Sequence, residues 1–278
     1  MALKNILVSY NALGASDAAL AVAALMARKY DAHLTGLLSW GPSRISAALG
    51  PWVTTELLDS IRIEEARRRT EIAEAFAAAA ADLTHERPGK VHFMDLGGDA
   101  DESLMEAARV YDIVVMGQHE SSAETAHIAP HPDVIALRSG RPVLIVPQGY
   151  GADRLVERAV LAWDGGRAAA RAMADAMVLL ESKSHVTVFA AGDAEQTRRR
   201  EGRDVVDHLA RHGVRTDWRP VAAPAGGIAR ALLQTVEDAK AGLLVMGAYE
   251  RSKFAEDLVG GVTKSVLAEA QVPVLMSH

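Results

Sequence analysis

The sequence predicts an α/β protein made of two tandem domains, each a doubly wound parallel sheet of five strands, related by a pseudo-twofold axis. Two observations carry this. Short apolar runs alternate with segments of helical length along the whole chain, the βαβ programme that builds parallel sheets. The same programme, with the same glycines and prolines at its joints, then runs a second time.

Taken in order, Asn5 to Tyr10 reads as a strand and Asn11 to Ser16 as a turn of small residues. Asp17 to Tyr30 places Leu20, Ala24 and Ala27 on one helical face, widened by Leu25 and Met26. His33 to Leu38 is the second strand, and Trp40 to Thr55, with its Gly and Pro, an irregular excursion. Glu56 to Leu83 is rich in Ala, Glu and Arg and reads as one long helix, ended by Pro88-Gly89. Val91 to Leu96 is the third strand. Gly97-Gly98 turns the chain into a helix from Glu102 to Tyr111, and Ile113 to Met116 is the fourth strand. A loop, a helix from Val134 to Ser139 and a fifth strand from Pro142 to Pro147 complete the first copy.

The second copy matches it joint by joint. Val160-Leu-Ala-Trp-Asp164 stands for Leu7-Val-Ser-Tyr-Asn11. Arg167 to Leu180 is a helix, His185 to Ala190 a strand, and Thr197 to His212 a helix stopped by Gly213, a residue suited to the position past a helix end. Arg215 to Pro220 is a strand, Gly226-Gly227 repeats Gly97-Gly98, and Ile228 to Ala239 is a helix. Val245-Met246-Gly247 repeats Val115-Met116-Gly117, and Pro273-Val274-Leu275 repeats Pro142-Val143-Leu144. The domains therefore run over residues 1–149 and 154–278, with Gly149 to Asp153 as the linker. The apolar terminal strands, Val143 to Val146 and Val274 to Met276, are association hazards unless covered, so the two copies are expected to pack as an intrachain pair.

With 278 residues, 49% hydrophobic and 24% charged, the chain can form a well-packed core. It has no Cys, which excludes disulfides, thiolate metal sites and Cys nucleophiles. A net charge of -6 argues against general nucleic-acid binding. The first residues enter a strand directly and no apolar run is long enough to span a bilayer, so a cytoplasmic protein without membrane attachment is expected.

The densest signal lies between Leu243 and Leu267. An apolar run ends at Gly247, a polar loop follows, and Gly260-Gly261 leads into a helix start at Val262-Thr263-Lys264. Backbone N–H groups at such a start, with the helix dipole behind them, favour an anion. This stretch resembles the universal stress protein family, whose nucleotide-binding members carry Gly, two residues, Gly, nine residues, Gly, then Ser or Thr after the fourth strand. Gly247 matches the first glycine and Gly260 the third, while Glu250 replaces the second and Gly261 the hydroxyl residue, with Thr263 nearby. The resemblance implies a Rossmann-like fold of the adenine nucleotide alpha hydrolase type and a stress-response regulatory protein. It implies ATP as the ligand of the second domain, with Mg²⁺ accompanying it. An acid after the first strand lies beside the nucleotide in the family, and Asp164 holds that place. The site expected is thus Asp164, Gly247, Gly260 and the N–H groups of Gly261, Val262 and Thr263.

Glu250 weighs against that site, because it lacks glycine's access to positive φ and brings a carboxylate toward phosphate. In the first copy Glu120, Pro130 and His131 take the glycine and hydroxyl places and Asn11 that of the acid, so a degenerate loop without nucleotide is expected. Neither Pro130 nor Pro132 has an N–H. His119, His127 and His131 invite a metal reading, but the prolines argue against one helix carrying them, and a polar loop is the alternative. Asp164-Gly165-Gly166-Arg167 lacks the Lys-Ser/Thr ending of a Walker loop. Trp163 either walls a pocket or packs the strand end. Arg67-Arg68-Arg69 and Arg198-Arg199-Arg200 lie among acids and read as solvated helix faces. Three functions stand: a nucleotide-binding regulator, a structural or interaction protein without nucleotide, and a slow ATPase. The last lacks a placed general base. A further homodimer and an unnamed protein partner complete the expected partners.

Overall fold

The structure is a computed structural model. It describes residues 2–42, 54–118, 125–151, 153–191, 204–221, 226–248 and 261–278. Residues 43–53 of the excursion expected from Trp40 to Thr55, the run Arg198-Arg199-Arg200, and the loop residues Glu120, His119, Glu250 and Gly260 lie outside them. The chain folds as two compact units, Leu3–Arg141 and Pro142–His278, the latter joined by Met1–Ala2.

In the first unit β1 (Asn5–Ser9), β2 (His33–Trp40), β3 (Val91–Gly97) and β4 (Ile113–Gly117) form a parallel sheet in the order β3-β2-β1-β4. Around it lie α1 (Gly14–Tyr30), α2 (Thr55–Ala79), α3 (Ala81–Glu86), α4 (Ala100–Ala108), a 3₁₀ turn (Ala126–Ile128) and α5 (Pro132–Arg138). The central strands are apolar on both faces, as strands sandwiched between helices must be: every residue of β1 after Asn5 and every residue of β4 before Gly117 is buried.

Several helix limits differ from the expectation, each for a local reason. α1 starts at Gly14, ahead of the expected Asp17, and ends at Tyr30 as expected, where Asp31 takes a left-handed φ of 53° and its N–H returns to the Ala27 carbonyl. The Asp31 carboxylate pairs with Lys90 and Arg87, which hold its pKa below the usual carboxylate range. The long Ala-rich helix is two helices. Ala80, at φ −96° and ψ 5°, sends its N–H to Phe76 and leaves the chain to restart as α3. α4 begins before Glu102 because Asp99 caps it, accepting from the N–H groups of Asp101 and Glu102 at 3.0 Å each.

α2 buries only Ile72 and Phe76, so its docking rests on that aromatic. The Phe76 ring stands edge-on to Tyr10 at 5.5 Å and lies 5.0 Å from Phe93. It fills the space over Gly36, where a Cβ would sit 2.3 Å from the ring. β2 thus gives up a side chain to admit one from the helix. The second copy has Val188 at the equivalent place.

The second unit carries β6 (Arg158–Ala162), β7 (His185–Ala191), β8 (Thr216–Val221), β9 (Leu244–Gly247) and β10 (Val274–Ser277), parallel in the order β10-β9-β6-β7-β8. Its helices are α6 (Arg167–Leu180), α7 (residues 204–211), α8 (Ile228–Asp238) and α9 (Gly261–Glu269). The last strand of the first copy, β5 (Val143–Val146), belongs to this unit and pairs antiparallel with β10. Leu144 faces Leu275, its own counterpart in the repeat, with Ile145 opposite Val274 and Val143 opposite Met276. The two terminal strands therefore meet about a local dyad, and all their residues are buried. No helix among the described residues is long and apolar enough to cross a membrane.

Phe76→Ala should cost about 3–5 kcal/mol in urea unfolding, the range for emptying a buried aromatic site. Gly36→Ala should cost about 1–3 kcal/mol by overpacking. In the Phe76→Ala background the Gly36→Ala penalty should largely vanish, because the added methyl then enters the vacated space. Additive penalties would show that the ring and the glycine do not constrain each other.

Candidate functional site

In the second unit the strand order reverses between β6 and β9, and the loops leaving their C-terminal ends border the crevice where doubly wound sheets take ligands. Asp164 and Gly247 stand on those two loops, and α9 follows the second of them.

Asp164 is exposed, and its Oδ1 accepts the Gly166 N–H at 2.8 Å. This is an Asx turn across Gly165, whose φ is 76°. Asn11 does the same in the first unit: its Oδ1 accepts the Leu13 N–H at 3.2 Å across Ala12, held at φ 56°. The two copies share the turn, and an alanine in one bears a conformation that a glycine bears in the other. They differ at the second polar atom. Asn11 Nδ2 donates to the Ile128 carbonyl at 3.0 Å and ties the loop after β4 across the strand ends. A carboxylate has no N–H with which to make that bond.

Gly247 is fixed by packing. A Cβ there would lie 2.6 Å from the Ala168 carbonyl carbon and from the Ala169 nitrogen, at the start of α6. Gly117 meets Ala15 at the same distance at the start of α1. Beyond Gly247, the Ala248 N–H bonds to Ser277 O at 2.8 Å and the Ala248 carbonyl lies 2.9 Å from His278 Nδ1. At the start of α9, no described residue comes within 4 Å of the Cβ position of Gly261, Val262 is 37% exposed and Thr263 is buried. The Thr263 hydroxyl is thus packed within the protein, and what the three residues offer a ligand is backbone, because the first N–H groups of a helix have no intrahelical partner.

Trp163, beside Asp164, is anchored through its N–H to Phe189 O at 2.8 Å, but its indole Nε1 is buried without a partner. Its counterpart Tyr10 is also buried and donates its hydroxyl to Asp17 at 2.8 Å, and burial with that carboxylate pushes the phenol well above its usual pKa. The residue of α6 aligned with Asp17 is Ala170, so the second copy keeps the aromatic and loses its acceptor.

The first unit's loop is strapped down. Gly41 N–H donates to His127 O at 2.7 Å, and Asp101 accepts the His131 N–H at 2.7 Å and lies 3.0 Å from its ring Nδ1. These contacts place His127 and His131 in separate local roles. Among the described residues no group of three or more His, Cys, Asp or Glu could hold a metal ion. A small space of about 30 Å³ remains beside the strap, lined by Ser9, Asn11, Ser16, Met116, Gln118 and Pro130 among others. The serines were not marked by the sequence; only comparison of the two copies, position by position, singles them out.

A family model described as the Universal stress protein family matches the chain twice, over residues 2–147 and 153–278. A universal stress protein from Archaeoglobus fulgidus DSM 4304 has a similar structure, with 16% identity, coverage of 98% of this chain and 95% of that one, and a TM-score of 0.71. A putative universal stress protein from Pseudomonas aeruginosa UCBPP-PA14 also matches, at 16% identity, 99% and 93% coverage and TM-score 0.54. A universal stress protein solved in complex with cAMP is 25% identical, covers 45% of this chain and 98% of its own, and has a TM-score of 0.37. No curated protein matches the chain.

The turn and the glycines generate a paired expectation. Ala12→Gly should stabilise the chain and Gly165→Ala should destabilise it, each by about 1 kcal/mol, since a left-handed residue with a Cβ costs about 1–2 kcal/mol. Gly247→Ala and Gly117→Ala should each cost about 1–3 kcal/mol, because the obstructing atoms are backbone and cannot swing aside. Urea midpoints measure all four. An unchanged midpoint for either strand-end glycine would contradict the packing account.

Proposed function

This chain belongs to the universal stress protein family over both of its repeats, a family of stress-response proteins, and we propose that it binds one adenine nucleotide, ATP, in the crevice of the second repeat. The nucleotide acts as a regulatory ligand that sets the choice of a protein partner in the cytoplasm. The functional halves are residues 1–149 and 154–278, joined through Gly149 to Asp153. The β5–β10 pair is the intrachain counterpart of a dimer seam.

The observation that carries this reading is the difference between Asn11 and Asp164 at the same turn. The amide closes the first crevice with its own loop through the 3.0 Å bond to Ile128. The exposed carboxylate of Asp164 has no N–H with which to make the same bond. The residues fit an anion there through backbone: Gly247 lets the strand end close on α6, and α9 is a helix of nine residues whose first, Gly261, has no other described residue near its Cβ position. Gly260 completes the motif in sequence. Asp164 supplies a hard oxygen of the kind Mg²⁺ takes when it accompanies ATP. Bound Mg²⁺ would offset the charge that Asp164 and Glu250 share with the phosphates.

Calorimetry with ATP should give at most one site per chain; two equivalent sites would refute the role given to Asn11 and Pro130. Glu250→Gly should tighten binding on the order of tenfold, by removing a charge worth about 1 kcal/mol at ~4 Å in water and by restoring backbone freedom. Glu250→Gln should recover only part of the gain, and that part should fade in high salt. If neither variant nor the parent binds ATP at millimolar concentration, the interaction-protein reading replaces this one.

A further inference from the structure

We propose that His208 and His212, at the C-terminal end of α7, bind one divalent transition-metal ion of the Zn²⁺ class, with Glu181 as the carboxylate that orients the pair. The two histidines stand four residues apart in the run His208-Leu-Ala-Arg-His212. On a helix that spacing puts both imidazoles on one face, where two histidines can hold a single zinc ion. Their ring centroids lie 4.9 Å apart and their planes are inclined at 56°. Two imidazoles sharing one Zn²⁺, with metal–nitrogen bonds of about 2.0–2.1 Å and a near-tetrahedral angle between them, bring their centroids to about 5 Å. Rotation of the rings, without movement of the backbone, is therefore enough to converge them on an ion.

The packing of α7 decides where the pair sits. Val205 and Leu209 are buried and anchor the helix in the core. His208 and His212 follow them by three residues each, so they lie about 60° round the helix from the buried stripe. His208 is half-buried and His212 exposed. The margin of a packed helix is held on one side and open to solvent on the other, as a site filled from solution requires. The last turn is also fixed: Leu209 O accepts the His212 N–H at 3.1 Å and the Val214 N–H at 3.0 Å.

Glu181 supplies the orientation. It closes α6, and its Oε1 stands 3.0 Å from His212 Nδ1. When Nδ1–H is donated to a carboxylate, the neutral ring presents the lone pair of Nε2, and this outer partner fixes the tautomer and raises the basicity of the donor. An ion pair accounts for Glu181 and His212 but not for His208. Among the described residues the His208 ring makes no hydrogen bond, and its one ring contact is His212.

The local field favours a cation. α6 and α7 both end here, and the last turn of a helix carries partial negative charge, to which Glu181 adds a full one. Two imidazole donors select Zn²⁺, Ni²⁺ or Cu²⁺ over Mg²⁺ and Ca²⁺, which take oxygen. With two protein ligands the remaining positions go to water, so the ion exchanges with solution and is not a structural one. The first repeat's pair, His33 and His92, makes a contrast: its rings are stacked 6.0 Å apart and 6° from parallel, so their in-plane lone pairs do not meet at one point.

Zn²⁺ titration of the full chain, followed through the ring Cε1–Hε1 signals of its ten histidines, tests the proposal. The His208 and His212 signals, assigned with His208→Gln and His212→Gln, should shift together and saturate at sub-millimolar Zn²⁺. Mg²⁺ at the same concentration should leave them in place. Glu181→Ala should weaken binding about tenfold, the cost of losing an outer partner, and each His variant should weaken it by more. Glu181→Gln, which still accepts from Nδ1, should recover part of that loss, and His33→Gln should change nothing at this pair. Circular dichroism establishes that each variant is folded, and the two Glu181 variants carry the test if a His variant is not. No shift at millimolar Zn²⁺, a shift of one ring without the other, an equal response to Mg²⁺, or undiminished binding by folded His208→Gln or Glu181→Ala would each overturn the proposal.

Discussion

The approach of each repeat's fourth strand to its first helix governs the crevice. At Gly117 and at Gly247 the strand end comes so near the helix start that a single methyl would lie 2.6 Å from backbone atoms of Ala15 or Ala168. Interiors this dense transmit displacement, because no void is available to absorb it. The strand end, the helix start and the Asx turn between the first strand and that helix are therefore one rigid corner. Asn11 or Asp164 sits on it, and the loop after the fourth strand leaves from it. Both copies preserve this corner while much else around it has changed.

What changed is the polarity of the groups the corner presents. The first repeat has an amide, hydroxyls and a carboxamide, and it uses the amide to hold its own loop. The second has a carboxylate set among alanines, with an aromatic whose N–H has lost its acceptor. The same corner therefore presents an amide and hydroxyls in one copy and a carboxylate in the other. A duplicated fold can diverge in this way because the turn depends on the Asx oxygen, which Asn and Asp share, while the remaining atom is free to specialise.

The edge problem is met by the repeat itself. A terminal strand as apolar as Val143 to Val146 invites pairing with another chain. Here it pairs with Val274 to Ser277 of the same chain, with Leu144 against Leu275. Pairing a strand with its own repeat equivalent satisfies the main-chain groups of both through one register. The boundary between the compact units consequently falls between Arg141 and Pro142, ahead of the composition break at Gly149 to Asp153.

The sequence by itself determined the fold class, the duplication and the order of elements. Apolar runs too short for helices alternate with helical faces, and this local periodicity leaves few ways to bury the apolar surface. It determined the helix from Arg167 to Leu180 to the residue, because Gly165-Gly166 mark its start and the apolar spacing runs out at Leu180. Some helix limits were set by local features that apolar periodicity does not report. Asp99 moved α4 earlier, and Ala80 divided α2 from α3 with no Gly or Pro to announce it. Gly36 is explained only by Phe76, distant in sequence, whose ring fills the space over it. Likewise the motif pointed to Gly247 as a ligand residue, whereas the tertiary structure shows the helix backbone that requires it. Ser9, Ser16 and Ser39 carry no local signature, and only folding brings two of them to one small space and leaves the third buried without a partner among the described residues. Periodicity reports which face of an element is buried; what that face touches is decided by packing between segments that the sequence keeps far apart.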